Sequence, residues 1–74
     1  MKEKKQLQLA IGRRVKSLRE SKGVAQQDLA AQCNLEKSNL SRLEAGGTNP
    51  TIYTLKRIAD NLDVSLCDIV NFDK

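Results

Sequence analysis

Histidine and tryptophan are both missing from this chain of 74 residues. Without histidine the most frequent general base and metal ligand is unavailable. No nucleophile elbow and no paired carboxylates in a plausible cleft compensate for it. Asp60 and Asp63 read as solvated residues near a helix end, so no enzyme is expected. Cys33 and Cys67 are the two cysteines, and two thiols without another ligand type do not make a zinc site. They read as reduced thiols of a cytosolic protein, with a disulfide as the alternative. Neither metal nor cofactor is expected. Tyr53 and Phe72 are the only aromatic residues, so the core must be aliphatic. Apolar runs extend over a few residues at most, too short to span a bilayer. The basic start, "MKEKKQLQLAIGRRVK", is not followed by the apolar stretch of a signal peptide. No membrane partner is implied.

What remains is one small domain. A chain of this size buries roughly 60% of its unfolded surface, so its stability is modest. Hydrophobic residues make up 39%, enough for a core. The formal net charge is +4, and it is unevenly distributed. Residues 1–22 carry Lys2, Lys4, Lys5, Arg13, Arg14, Lys16, Arg19 and Lys22 against Glu3 and Glu20. The last stretch carries Asp60, Asp63, Asp68 and Asp73. That polarity suits a polyanion on one side, the plain alternative being charges that cover solvated helix faces.

The spacing of apolar residues predicts five helices and no strand. Residues 1–6 read as a basic N-terminal arm and residues 7–74 as the folded domain. The first helix runs from about Leu7 to Ser21, with Leu7, Ile11, Val15 and Leu18 inward and Gly23 as its stop. Leu9 lies off that stripe and finds no place in it. The second runs from about Gln26 to Cys33, with Asn34 suited to a left-handed turn. The third spans Lys37 to Ala45, its entry fixed by a staple of Leu35 on Leu40. "GGTNP" breaks the chain. Thr51 caps the fourth helix, whose inner residues are Leu55, Ile58, Ala59 and Leu62. Ser65 and Asp68 form a capping box for the short fifth, with Val64 and Ile69 as a second staple.

A turn of about three residues between the second and third helices favours a steep crossing. The third helix is then held on the outside by Leu40 and Leu43, and its other side shows Lys37, Ser38, Ser41 and Arg42. A DNA major groove admits one helix. Arg and Lys can bond guanine there, and Ser suits several base edges. An ordinary solvated face is the competing explanation.

"RRVKSLRESKGVAQQDLAAQCNLEKSNLSRLEAGGTNPTIYTLKRIADNLDVSLCDIV" resembles the lambda-repressor-like family of helix-turn-helix proteins, the Cro/cI-type or XRE regulators. "R-x-S-K-G", "Q-x-D-L-A", "L-S-R-L-E-A-G", "N-P-T" and "L-K-R-I-A-D-N-L-D-V-S" occur in order at family spacing over about residues 11–70. The resemblance implies an all-α, compact five-helix lambda-repressor-like domain, with the helix-turn-helix at about 26–45 and the third helix as the reader of DNA. It implies that Glu36, Lys37, Ser38 and Arg42 touch bases. It places Gln26, Gln27, Asn39, Ser41, Gly47, Thr48 and Asn49 at the DNA backbone, and has Gln26 brace residue 37. Arg19 and Glu44 match a structural ion pair, although Arg19 could instead reach phosphate.

Three departures from the family pattern stand out. Ala25 replaces the usual Ser or Thr cap. Glu36 replaces a small hydroxyl residue, and either accepts from cytosine N4 or only favours the helix dipole. "AGGTNP" lacks the usual basic residues, which leaves phosphate attraction to backbone N–H groups, to Lys56 and Arg57, or to the N-terminal segment.

The resemblance further implies a homodimer through the C-terminal helices, with Leu66, Ile69, Val70 and Phe72 as the material for it. The function expected is a sequence-specific DNA-binding transcriptional regulator, in the first place a repressor, on double-stranded DNA with a near-palindromic operator. Its place would be the cytoplasm, at the nucleoid. No second sensing domain is expected. The alternative is an antitoxin or adaptor whose main partner is another protein, a toxin or the transcription machinery.

Overall fold

The structure, a computed structural model, describes residues 2–71. They form α1 (Lys2–Ser21), α2 (Gln26–Gln32), α3 (Lys37–Glu44), α4 (Ile52–Leu62) and α5 (Leu66–Val70), with no strand among the described residues. The first helix begins at Lys2 rather than near Leu7. The segment read as an arm is helical from Lys2 on, and Lys, Glu and Gln, all good helix formers without a breaker, account for it.

The core is aliphatic. Val15, Leu29, Leu40, Ile58 and Ile69 are fully enclosed, and Leu43, Leu55 and Leu62 close around them. Ile11 and Leu18 pack against this cluster. Leu7 does not belong to the inner stripe, being 49% exposed. Glu3 to Leu7 are all exposed, so the first turns of α1 lie outside the core. Phe72 lies outside the described residues.

Four helices end in the same way. Beyond α1, α2, α3 and α4 the chain turns left-handed at Gly23, Asn34, Gly46 and Asp63, with φ of 70°, 58°, 83° and 59°. After each of these residues the next N–H reaches back to a carbonyl of the helix. Val24 bonds Arg19, Leu35 bonds Ala30, Gly47 bonds Arg42 and Val64 bonds Ala59. This closure satisfies carbonyls that the helix leaves open and reverses the chain at once. Linkers of three to seven residues follow.

The N-termini differ among themselves. Thr51 caps α4 through Thr54 N–H, and Ser65 with Asp68 forms a full capping box on α5. Two hydrogen bonds from Ser65 hold the Asp68 carboxyl below its ordinary range, with smaller help from Arg14 and Lys22. The N-cap positions of α2 and α3, Ala25 and Glu36, have extended backbone and no side-chain cap.

Candidate nucleic-acid interface

Asn34 decides how α2 and α3 meet. Its left-handed conformation ends α2, and four residues, Cys33 to Glu36, separate the two helices. Asn tolerates that conformation better than other side chains because its short amide bonds locally. Cys33, at the C-cap of α2, is buried, and its sulfur lies 3.8 Å from the Arg57 carbonyl and 3.6 Å from Asn61 Nδ2. Burial pushes this thiol up, against the opposing pull of Arg57 and the Asn61 hydrogen bond. Cys67 is exposed, and both thiols are free.

The third helix has two unlike faces. Leu40 is fully buried and Leu43 is 5% exposed. Lys37, Ser38, Asn39, Ser41 and Arg42 are all exposed. Glu36 is exposed at the N-cap, one position ahead of the helix. Leucines at 40 and 43, one turn apart, hold the rod by one side, and the exposed polar side chains opposite make no hydrogen bond among the described residues. Beyond α3, Gly47 and Asn49 are exposed and Thr48 is half-buried. Gln27 is exposed at the start of α2.

A buried ion pair fixes the tilt of α3. Arg19 Nε donates to Glu44 Oε2 at 2.7 Å, and its second nitrogen reaches Oε1 at 3.1 Å. Another N–H of the same guanidinium bonds the Val24 carbonyl at 2.8 Å. The hydrogen bond that Arg19 donates to the Glu44 carboxylate raises the Arg19 pKa further, so the group stays charged. Arg19 therefore binds protein rather than facing outward. Gln26 Nε2 donates to Glu44 Oε1 at 2.9 Å. That side chain turns toward the end of α3 rather than toward residue 37, and its second amide N–H and the backbone remain for an outside partner.

Two contacts escaped the sequence. Gly12 is buried where α1 meets the end of α3, and a Cβ there would come within 2.7 Å of the Glu44 carbonyl oxygen. A glycine inside an apolar-periodic helix was the available signal. Leu9 packs on Gly46, where a Cβ would meet Leu9 Cα at 2.9 Å. Its partner lies far along the chain, and spacing along one helix cannot reveal it.

The expected dimer residues divide. Ile69 is fully buried and belongs to the core. Its place as the staple partner of Val64 turns it inward. Val70 is 41% exposed, and Leu66 is half-buried.

An all-α domain with two short helices crossing at a tight turn, the second of them polar outward, is a helix-turn-helix domain. The helix-turn-helix family HTH_3 matches residues 15–69, and the chain belongs to that family. The transcriptional regulator SinR of Bacillus licheniformis is 39% identical over 62 residues, which cover 82% of this chain and 56% of that protein. The chain thus spans about half the length of this curated relative. Among solved structures, the restriction-modification controller protein C.AhdI of Aeromonas hydrophila has a TM-score of 0.84 at 26% identity, covering 88% of this chain and 94% of that one. SinR, described as the master regulator for biofilm formation and solved in complex with DNA, has a TM-score of 0.74 at 38% identity, covering 80% and 95%.

Proposed function

We propose that this chain is a sequence-specific DNA-binding transcriptional regulator that lays α3 in the major groove. One observation carries the reading: Lys37, Ser38 and Arg42 stand exposed on a helix whose opposite side, Leu40 and Leu43, is buried. A helix so held presents donors and acceptors at fixed positions, which base reading requires. Glu36 stands beside them, suited to cytosine N4. Gln26, Gln27, Asn39, Ser41 and the turn of Gly47, Thr48 and Asn49 serve the sugar–phosphate backbone. The bare N-termini of α2 and α3 support this, since uncapped N–H groups favour phosphate. SinR, similar in fold, was solved with DNA.

Val70 and Leu66, with Phe72 beyond the described residues, supply the apolar material for a two-fold dimer. Such a dimer places two recognition helices about 34–36 Å apart and demands a near-palindromic operator. Repression by steric occlusion of the promoter is the output assigned. Selection of binders from random duplexes, followed by sequencing, tests the reading. An enriched palindrome whose half-sites are one helical turn apart supports it, and a pool without enrichment refutes it.

A second reading, a module whose main partner is a protein, rests on Ile52 and Tyr53. They are adjacent on α4 and 65% and 67% exposed. Stable co-purification with a protein, together with weak DNA binding that lacks sequence preference, would favour it.

A further inference from the structure

The turn after α3 has no cation of its own. From Ala45 to Pro50 the chain reads AGGTNP, yet the DNA-binding reading proposed above lays this turn against phosphates. The cations of α1 sort themselves around it. Arg19 is held by Glu44, and Arg14 is held at 2.6 Å by the Asp68 carbonyl on α5. Lys5, Arg13 and Lys16 are exposed and make no ion pair among the described residues.

Their direction follows from the packing of Leu9 and Gly12. Leu9 sits on Gly46, and Gly12 sits on the Glu44 carbonyl, so the face of α1 that holds Leu9 and Gly12 borders the end of α3 and its turn. Residues four apart on a helix are neighbours on one face. Lys5 precedes Leu9 by four, Arg13 follows it by four, and Lys16 follows Gly12 by four. At about 100° per residue, Lys5 lies about 40° from Leu9 around the helix axis, whereas Lys4 lies about 140° away.

We propose that Lys5, Arg13 and Lys16 form a phosphate-contacting track along α1, which continues the DNA surface of the Gly46–Asn49 turn and supplies the charge that turn lacks. The proposal rests on the DNA-binding reading. It adds a second element, remote in sequence from the helix-turn-helix, to the surface that meets the backbone. Phosphate contacts of this kind set affinity and register and do not choose sequence.

Adjacent lysines, alike in chemistry and exposure but unlike in direction, make the test. Lys5→Gln, Arg13→Gln and, as the control, Lys4→Gln are measured in the full chain by fluorescence anisotropy. The probes are the duplex selected by the wild type and an unrelated duplex, from about 50 to 200 mM KCl, the range over which phosphate neutralisation governs affinity. Circular dichroism confirms folding. Neutralising one phosphate-bound cation should reduce the slope of log affinity against log salt by about 0.9. Lys5→Gln and Arg13→Gln are expected to flatten the slope by that amount and to weaken both duplexes alike. Lys4→Gln is expected to leave the slope unchanged. Equal effects of Lys4→Gln and Lys5→Gln would overturn the track in favour of undirected charge attraction, while leaving DNA binding itself intact. A wild type that binds neither duplex overturns the track and the DNA reading together.

Discussion

Gln26 and Arg19 converge on one carboxylate, that of Glu44, the amide at 2.9 Å and the guanidinium at 2.7 Å. The three residues come from the start of α2, from α1 and from the last turn of α3. Through them the candidate recognition helix is tied at its far end to α1 and α2. Arg19 is 8% and Glu44 6% exposed. The pair therefore lacks the water that would compensate either charge alone.

Glu44→Ala strands the Arg19 guanidinium, and losing one partner of a buried pair costs about 3–5 kcal/mol. A domain of this length has roughly 4–11 kcal/mol in all, at about 0.05–0.15 kcal/mol per residue. Urea unfolding should show Glu44→Ala losing a large share of that stability. The double change Arg19→Met with Glu44→Leu removes both charges and should recover most of the loss. Gln26→Ala leaves the pair intact and should cost less than Glu44→Ala. Equal stability of Glu44→Ala and wild type would contradict the role given to this cluster.

Gly12→Ala brings two effects into opposition. Helix propensity favours Ala over Gly by about 1 kcal/mol. The new Cβ, however, would lie 2.7 Å from the Glu44 carbonyl oxygen and closer still to that of Leu43. Those atoms are backbone, and moving them means moving α3. Overpacking of this kind costs about 1–3 kcal/mol, so the net change is destabilising. Thermal unfolding should show a lower Tm, and an increase would mean that α1 and α3 part easily enough to admit the methyl group.

Ala25 occupies an N-cap with β-region backbone, φ −71° and ψ 149°, and no side-chain acceptor. Ala25→Ser supplies one at an unchanged backbone and should stabilise by about 1 kcal/mol. For a domain of this size that raises Tm by about 4–8 °C. Glu36→Ser should act similarly on α3, but it also alters a proposed base contact, so only Ala25→Ser separates stability from binding. An unchanged Tm would deny the cap geometry.

The two thiols should behave differently. Cys67 is exposed and Cys33 is buried. Titration with a chromogenic disulfide should show one fast thiol in the native chain and the second only on unfolding. Burial raises the folded-state pKa of Cys33, which favours the neutral thiol in the native state. Its contribution is therefore complete below the ordinary thiol pKa and is lost as pH rises through the raised value. Urea midpoints for the wild type should fall on the alkaline side, and Cys33→Ala should remove that part of the slope.

Local signals are legible in the sequence because each is complete within a few residues. Thr51 and its Thr54 N–H, the Ser65–Asp68 box, and Asn34 as the left-handed stop are each read within one turn of chain. The inward pair Leu40 and Leu43 is equally plain. What depends on distance is not. Leu7 continues the apolar period of α1 but lies outside the core, because periodicity records a helix and not what packs against it. The start of α1 at Lys2 follows no Ser, Thr, Asp or Asn that would announce it in the sequence. Ile69 reads as interface material when the C-terminal apolar residues are taken together, although as the staple partner of Val64 it turns inward. The family pattern has Gln26 brace residue 37, whereas its amide meets Glu44, 18 residues along the chain. Leu9 and Gly12 acquire meaning only once α1 is laid across the end of α3.

Arg42 bears most directly on the proposed reading. It is exposed on the outer face of α3 and forms no ion pair among the described residues. An arginine so placed can give guanine two parallel hydrogen bonds, an interaction worth about 1–3 kcal/mol of discrimination. Arg42→Ala should weaken the selected duplex by that amount and relax preference at a single base pair per half-site, seen when the selection is repeated with the variant. Lys5→Gln should instead weaken every duplex alike. If Arg42→Ala kept full affinity and an unaltered sequence preference, base reading would have to pass to Lys37 and Ser38, nearer the start of α3. The helix would then enter the groove by its tip, not along its outer face.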